Sequence, residues 1–378
     1  MDIENSLSLK VCFEDMLDPR CEYLCSHKLI DIIMIAICAV IAGSDTWEEI
    51  AEFGQDREQW LRGFLELPHG IPSHDTFGRV FALLDPKAFR ACFRRWIEGV
   101  VEATKGQVIA VDGKTLRRSH NRSLGKEAIH IVSAWATANK LVLGQVKVDD
   151  KSNEITAIPE LLDLLDISGC IVTIDAMGCQ RAIARQIIEK QADYVLAVKE
   201  NQPTLHANIL KVLGGLSPDR SLPEADYAVR TEKNRERIET RHCWVVQDED
   251  FLHYVQRGER RWLGLRSLVK IQSERIVKGQ LSIETRYYIS SLGDSAKDML
   301  KAIRAHWGIE NSLHWVLDIG FREDECRVRI GHGPENLALL RHIATNILKQ
   351  DTTRKTGTHA RRLKAARDPD YLARLLGF

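Results

Sequence analysis

The chain has 378 residues, of which 44% are hydrophobic and 28% are charged. At about 100–200 residues per domain, this length predicts two or three domains with a sizeable core, and the composition excludes a disordered or fibrous protein. Lys and Arg together number 53, as do Asp and Glu, so the formal net charge is zero. Any contact with a polyanion must therefore use local basic patches rather than a surface that is basic throughout.

The cysteines and the most apolar segment both indicate a cytoplasmic protein without a membrane span. The nine cysteines show no CxxC pair or zinc-finger spacing, so we expect reduced thiols. The acidic start Met1–Glu4 is not typical of a signal peptide. Leu29–Gly43 contains Asp31 and is shorter than the roughly 20 residues that span a bilayer. It is predicted to form a buried helix.

Residues 1–100 are predicted to form a helical N-terminal domain. Thr46–Glu49 has capping-box spacing, and after the turn Gly70–Ser73 either Ser73 or Asp75 is predicted to cap the next helix. Several short helices with tight turns are consistent with a DNA-binding module and equally with a structural cap on the next domain.

From about residue 105 the pattern changes to alternating strands and helices. The predicted elements are strands Gln107–Val111, Ala128–Thr137 and Leu141–Val148, helix Glu154–Asp166, strand Cys170–Ile174, helix Gln180–Lys190 and strand Tyr194–Val198. The last units are βαβ and require parallel pairing with a right-handed crossover. This order is typical of an α/β, ribonuclease-H-like fold.

The rest of the chain divides into three parts. Residues 201–285 are predicted to form a β-rich insertion with strands at Cys243–Val246, Leu268–Ile271 and Ser282–Ile289. The ribonuclease-H-like domain is expected to comprise residues 105–200 and 286–350. Its second part contains a long helix that starts at Ser295 or Asp298 and continues through Leu317. Residues 351–378 form a basic C-terminal tail.

Two carboxylates end strands that the fold order places side by side. Asp112 follows Val-Ile-Ala-Val, and Asp175 follows Ile-Val-Thr-Ile. Ligands of open α/β sheets gather at the carboxyl ends of the strands, and paired carboxylates there suit a hard cation such as Mg²⁺. The alternative is that each Asp caps a turn.

A third carboxylate, Glu310, lies on the predicted long helix. His306, Glu310 and His314 are four residues apart and would share one helix face. A His-Glu-His site for a transition metal is the alternative use of that face. Trp307 and Trp315 are either core residues or a platform on which bases stack.

Several long motifs carry a family resemblance that covers nearly the whole chain. They are Val111–Arg117, Lys151–Glu160, Asp175–Gln180, Ala197–Lys199 with Asn201 and Gln202, Arg286–Ser291, His306 and Trp307 with Glu310, Asn311 and Leu313–Trp315, and Arg341–Ala344. With these motifs the sequence resembles the DDE-type insertion-sequence transposases, and closely the H-repeat-associated proteins found with Rhs elements.

The resemblance implies a D-D-E triad of Asp112, Asp175 and Glu310, which would be both the catalytic residues and the ligands of Mg²⁺, with Mn²⁺ as an alternative. It implies double-stranded DNA as partner, both the inverted-repeat ends and the target, and a homodimer on DNA. One departure is visible. Related enzymes often carry Arg four residues before the Glu and Lys seven after it, where this chain has His306 and Leu317.

The mechanism expected from these residues is in-line attack on phosphodiesters with two Mg²⁺ ions. Water first nicks the element end, and the freed 3′-hydroxyl then attacks target DNA. The residues predicted to bind DNA are Lys114, Arg117, Arg118, Lys199, Asn201, Gln202, Arg304, His306 and Trp307. Arg122 and Lys126 belong to the same basic cluster after the first Asp, for which a solvated loop is the alternative.

Three other functions remain open from the sequence. A ribonuclease-H-like nuclease would cut DNA without joining strands. A domesticated or inactive derivative would bind DNA only. A zinc hydrolase would use His306 and His314.

Overall fold

The computed structural model describes residues 8–21, 23, 25–100, 106–120, 126–149, 152–220, 222–234, 236–257 and 261–378, and it is a mixed α/β structure. The helices are α1 (Leu9–Glu14), α2 (Leu29–Ile41), α3 (Trp47–Asp56), α4 (Glu58–Leu61), α5 (His74–Leu83), α6 (Pro86–Val100), α7 (Glu154–Asp163), α8 (Arg181–Glu189), α9 (Pro203–Leu213), α10 (Glu249–Val255), α11 (Ala296–His306), α12 (Trp315–Gly320), α13 (Gly333–Gln350), α14 (Thr358–Arg367) and α15 (Pro369–Leu376). The strands are β1 (Val108–Thr115), β2 (His130–Ala136), β3 (Leu141–Lys147), β4 (Ile171–Ile174), β5 (Asp193–Val198), β6 (Ala225–Asn234), β7 (Arg237–Val246), β8 (Ser267–Val277) and β9 (Gln280–Ser290).

The chain divides into two compact units, each built from separated segments. The first unit comprises Met1–Ala103, Gly113–Lys151 and Glu310–Phe378, and the second comprises Thr104–Asp112 and Ser152–Ile309. Strand β1 thus begins in the second unit, and its last three residues belong to the first.

Two buried helices, α2 and α13, form the centre of the first unit. Helix α2 is apolar on nearly every side, and all its residues except Ile30 are buried, as the sequence predicts. Helix α13 packs against α2, α5, α6 and β3. Two buried amides of α13 bind neighbouring segments: the Asn336 amide group donates to the carbonyls of Phe81 and Leu84 at 2.8 and 2.9 Å, and Asn346 both donates to and accepts from the backbone of Val142 at 2.8 Å. These bonds help to fix how α13 meets α5 and β3, because a lost hydrogen bond in the buried interior would destabilise the unit.

The predicted helix starts in the first unit are confirmed. Thr46 accepts from the N–H of Glu49, and the Glu49 carboxylate accepts from the N–H of Thr46, which completes a capping box. Ser73 caps α5 by accepting from the N–H of Thr76.

The second unit contains a mixed sheet with the strand order β1-β4-β5-β9-β8-β7-β6. Strands β1, β4 and β5 are parallel, as the βαβ pattern predicts, and β5 pairs with β9 in the antiparallel direction. Strands β6–β9 form antiparallel pairs in chain order. The β-rich character expected of residues 201–285 is therefore present, but β6 was not predicted, because its residues are largely exposed and polar.

The prediction of one continuous helix through Leu317 is wrong. Helix α11 starts at the cap Ser295, as predicted, but it ends at His306, with Trp307 as its C-cap. A π-helical turn follows at Glu310–His314, and α12 begins at Trp315. The shared face of His306, Glu310 and His314 was predicted for one continuous α-helix, and the π-helical turn removes that basis.

The basic C-terminal tail is folded, with α14 and α15 in the first unit. Arg362 is 3% exposed and donates to the carbonyls of Val40 and Ser44 and to the carboxylate of Asp45. This arginine therefore holds α14 on the unit and is not a free basic group.

In the part of the chain that the structure describes, none of the helices has the length and apolar character needed to cross a lipid bilayer.

Candidate active site

Asp112 and Asp175 lie next to each other at the ends of two parallel strands. Strand β1 pairs with β4 from Val108↔Ile171 to Val111↔Ile174. Asp112 comes directly after Val111, and Asp175 comes directly after Ile174. Neighbouring strands are about 4.8 Å apart, which brings the two backbones into adjacent positions. Both residues are half-buried. The sequence prediction that these strands are neighbours is confirmed.

Asp175 also organises the turn that follows its strand. Its Oδ1 accepts hydrogen bonds from the N–H groups of Met177 and Gly178, at 3.0 and 3.3 Å. This oxygen therefore caps the turn, as the alternative interpretation of Asp175 predicted. Among the described residues no hydrogen bond reaches Oδ2, so the second oxygen is available to another ligand.

The turn after Asp175 requires a glycine. A Cβ at Gly178 would lie 2.3 Å from Cγ2 of Ile174 and 2.9 Å from Cδ1 of Ile158. Helix α7 therefore packs directly against this turn. Glu154 lies four residues before Ile158, on the same face of α7, and so belongs to the surroundings of Asp175.

The pKa of Asp175 is raised above its ordinary value. Burial is the largest cause, and the negative charge of Glu154 raises the pKa further. The two N–H bonds and the charge of Lys199 oppose the increase without cancelling it. Glu154 was not predicted as a site residue, although it stands in the motif Lys151–Glu160; its position at the first turn of a helix gave no sign of proximity to Asp175.

The Asp112 and Asp175 pair fits a hard divalent cation. Carboxylate oxygens are the donors that Mg²⁺ prefers, and a raised carboxylate pKa means that a positive charge nearby would be stabilising. Among the described residues no group of three or more His, Cys, Asp or Glu side chains is arranged to hold a metal. Mg²⁺ nevertheless fits, because it commonly uses one or two protein carboxylates and takes other oxygens from water and phosphate.

The third predicted carboxylate, Glu310, is exposed and opens the π-helical turn. π-helical turns inside α-helices are frequent at functional sites. Glu310 belongs to the first unit and the two aspartates to the second. The grouping of all three carboxylates stays a prediction.

The histidines four residues before and after Glu310 are half-buried and uncharged at neutral pH. Burial lowers the pKa of His306 to about 4, and its Nδ1 lies 3.0 Å from the hydroxyl of Thr173. Burial likewise lowers the pKa of His314 to about 4. No described group of metal ligands includes them, so no observation favours the His-Glu-His or zinc alternative.

The other predicted DNA-binding residues of the second unit have local partners. Asn201 donates to the carbonyl of Ala176 at 2.5 Å, and Gln202 to that of Cys179 at 2.8 Å. They thereby tie the end of β5 to the turn after Asp175, beside the exposed Lys199. Arg304 pairs with Glu232 at 2.5 Å, and Arg286 lies over the ring of Trp307 at 4.3 Å.

In the predicted basic cluster after Asp112, Lys114 is mostly buried and ion-paired, whereas the other described members are exposed. The ammonium of Lys114 contacts the carboxylates of Asp318 and Glu323 at 2.7 and 2.8 Å, and the side chain is only 12% exposed. Arg117 is 78% exposed and lies 3.2 Å from Asp324. Arg118 and Lys126 are exposed, whereas Arg122 lies outside the described residues. DNA binding by this cluster stays a prediction, and Lys114 is already engaged by carboxylates.

Comparison with known families gives a result that agrees with this geometry. Residues 103–347 match the model described as "Transposase DDE domain", and residues 10–97 match the model described as "DDE_Tnp_1-associated". The chain belongs to the DDE transposase family. Its matched region contains both aspartates and Glu310.

Curated relatives cover almost the whole chain. The chain is 41% identical over 366 residues to the H repeat-associated putative transposase YhhI of Escherichia coli (strain K12), covering 95% of each protein. It is 42% identical over 362 residues to the putative transposase YncI of Escherichia coli O157:H7, covering 93% of this chain and 89% of the relative. The resemblance to H-repeat-associated transposases is therefore confirmed.

Proposed function

We propose that this protein is a DNA transposase in which Asp112, Asp175 and Glu310 act as a catalytic triad on a ribonuclease-H-like fold. The observation that carries the proposal is the register pair Val111↔Ile174, because it brings Asp112 and Asp175 to adjacent positions at one strand edge. Family membership supports the same interpretation, since residues 103–347, which contain all three carboxylates, match the model described as "Transposase DDE domain".

The residues proposed to hold Mg²⁺ or Mn²⁺ are the three carboxylates of the triad. When bound, such a cation polarises a phosphoryl oxygen and lowers the pKa of an attacking water or hydroxyl. The chain itself supplies the anionic oxygens, and the N–H groups of Met177 and Gly178 hold Asp175 in a fixed orientation. The charge of Glu154 adds to the negative potential that attracts a cation.

The proposed reaction has two steps of the same chemical type. In the first, water oxygen bonds to the phosphorus at the element end, and the bond to the 3′-oxygen breaks to leave a free 3′-hydroxyl. In the second, that hydroxyl bonds to a phosphorus of target DNA and displaces the target's own 3′-oxygen. No covalent bond to the protein is required.

We also propose that the protein acts in the cytoplasm, on inverted-repeat ends and target DNA, as a homodimer on the DNA. Exposed basic groups such as Arg118 and Lys199 are proposed to contact the phosphates.

A joining assay tests this function. Labelled duplex ends, which are taken from the DNA flanking the coding region, are incubated with the protein, a target plasmid and Mg²⁺. Cleaved ends together with labelled plasmid support a transposase. Cleaved ends without labelled plasmid would instead indicate a nuclease that does not transfer strands, and DNA binding without cleavage would indicate an inactive derivative.

A further inference from the structure

A cavity of about 780 Å³ lies within the first unit. Its wall is formed by the start of α3, the first half of α5, Arg118 and the loop at residues 322–330. These segments are far apart in the sequence, so the cavity exists only in the folded unit.

The charges on the wall are five arginines and five carboxylates, but the carboxylates are mostly engaged. Asp45 is paired with the buried Arg362 at 2.8 Å. Glu49 accepts the backbone N–H groups of Asp45 and Thr46 as part of the capping box. Glu325 is paired with Arg322. Backbone N–H groups leave the charge of Glu49 in place, so the carboxylates without an arginine partner are Glu48, Glu49 and Asp75.

Four of the arginines have no carboxylate partner among the described residues. They are Arg79, Arg118, Arg327 and Arg329. Arg79 donates to the carbonyl of Asp75 in its own helix, and Arg329 donates to the carbonyl of Arg118 at 3.0 Å. With four unpaired arginines against three such carboxylates, the wall has an excess of positive charge and attracts anions.

The loop that carries Arg327 and Arg329 is held against α5. The N–H of His332 donates to the carbonyl of Ala82 at 3.0 Å. Gly331 has a φ of +53°, and a Cβ there would lie 2.4 Å from the same carbonyl oxygen. The close approach therefore requires glycine, and the arginines are positioned before any ligand arrives.

We propose that this cavity, here called the arginine cavity, binds backbone phosphates of duplex DNA. A guanidinium group can donate two parallel hydrogen bonds to the oxygens of one phosphate. Four arginines distributed over three segments therefore suit successive phosphates of a DNA backbone better than one small anion. The choice of DNA as the polyanion rests on the proposed function, and the location of the contact rests on the cavity itself.

Binding of a fluorescent duplex, measured by anisotropy over a range of salt concentrations, tests the proposal. The double variant Arg79→Ala/Arg327→Ala removes two phosphate contacts. Between about 50 and 200 mM salt, the wild-type protein should lose about ten-fold more affinity than this variant, because each contact adds about 0.9 to the salt slope. A second double variant, Arg118→Ala/Arg329→Ala, should behave in the same way.

A matched control removes two exposed charges of the same unit from outside the cavity, as Lys87→Ala/Arg367→Ala. It should keep the wild-type slope, and thermal unfolding should show that all three variants are folded. If the wild-type protein binds DNA and both cavity variants keep its slope and affinity, the arginine cavity is excluded as a DNA site. If the wild-type protein itself does not bind DNA, the proposed function is wrong together with this inference.

Discussion

Lys114 and Glu323 form an ion pair of 2.8 Å inside the first unit, although Lys114 is only two residues from the predicted catalytic Asp112. Glu323 is 2% exposed. Burial alone would raise the pKa of Glu323, but the charges of Lys114 and Arg341 outweigh it and hold the pKa below its ordinary value. The pair is therefore part of the structure of the unit.

Replacing Lys114 should destabilise the protein. Lys114→Ala leaves the buried Glu323 carboxylate without its nearest cation, and breaking a buried pair in this way costs about 3–5 kcal/mol. Urea unfolding monitored by circular dichroism measures the loss, and Lys114→Arg, which keeps the charge, is the control. An unfolding free energy equal to that of the wild type, together with weaker DNA binding, would instead assign Lys114 to the DNA.

Three histidines with a lowered pKa predict how the free energy of unfolding changes with pH. Burial lowers the pKa of His306, His314 and His342 to about 4, whereas an unfolded histidine has a pKa near 6.5. The unfolded chain therefore binds protons more tightly, and the free energy of unfolding should fall as the pH falls from about 6.5 to about 4. Urea unfolding at several pH values measures this. A constant unfolding free energy across that window would contradict the lowered histidine pKa values.

The raised pKa of Asp175 predicts that this residue makes the protein less stable as the pH rises, which is the opposite of the histidine effect. Its folded carboxyl binds a proton more tightly than the unfolded one, so the ionised form costs stability at pH values above the folded pKa. Asp175→Asn keeps an oxygen for the N–H groups of Met177 and Gly178, and it should raise the melting temperature at neutral pH without divalent cations. The exposed Asp219→Asn is the control.

The contribution of Glu154 can be measured separately. Glu154→Gln removes the charge that raises the pKa of Asp175, so that pKa should fall toward its ordinary value. Carbonyl-carbon NMR titration of Asp175 in the protein without divalent cations follows the change. An unchanged titration would show that Glu154 does not act on Asp175.

Gly178 should tolerate no side chain. In Gly178→Ala the new Cβ meets Ile174 and Ile158 at 2.3 and 2.9 Å, and such overpacking costs about 1–3 kcal/mol. Gly357→Ala is the control, because no atom lies within 4 Å of a Cβ there. Equal thermal stability of the two variants would contradict the packing of α7 against this turn.

Local patterns were sufficient to predict much of the fold. The capping box at Thr46, the buried helix α2 and the parallel strands β1, β4 and β5 follow from short-range rules that the tertiary structure does not override. The same local information predicts that Asp112 and Asp175 are neighbours.

Features that depend on distant residues could not be predicted. The break after His306 and the π-helical turn at Glu310 contradict an ideal helical repeat, and nothing in the local sequence marks them. The partners of Lys114 lie more than 200 residues away, at Asp318 and Glu323. Basic residues therefore looked like free DNA-binding groups where the fold pairs them with carboxylates.

The central claim is that Asp112, Asp175 and Glu310 together perform Mg²⁺-dependent cleavage of the element ends. The direct measurement is the rate of nicking of a labelled end by the wild type and by Asp112→Asn, Asp175→Asn and Glu310→Gln. Each of the three should reduce the rate at least about a thousand-fold, since a metal ligand contributes several kcal/mol to the transition state, while end binding is retained. Asp219→Asn is the control and should nick at the wild-type rate. A nicking rate equal to that of the wild type in any of the three carboxylate variants would contradict the account.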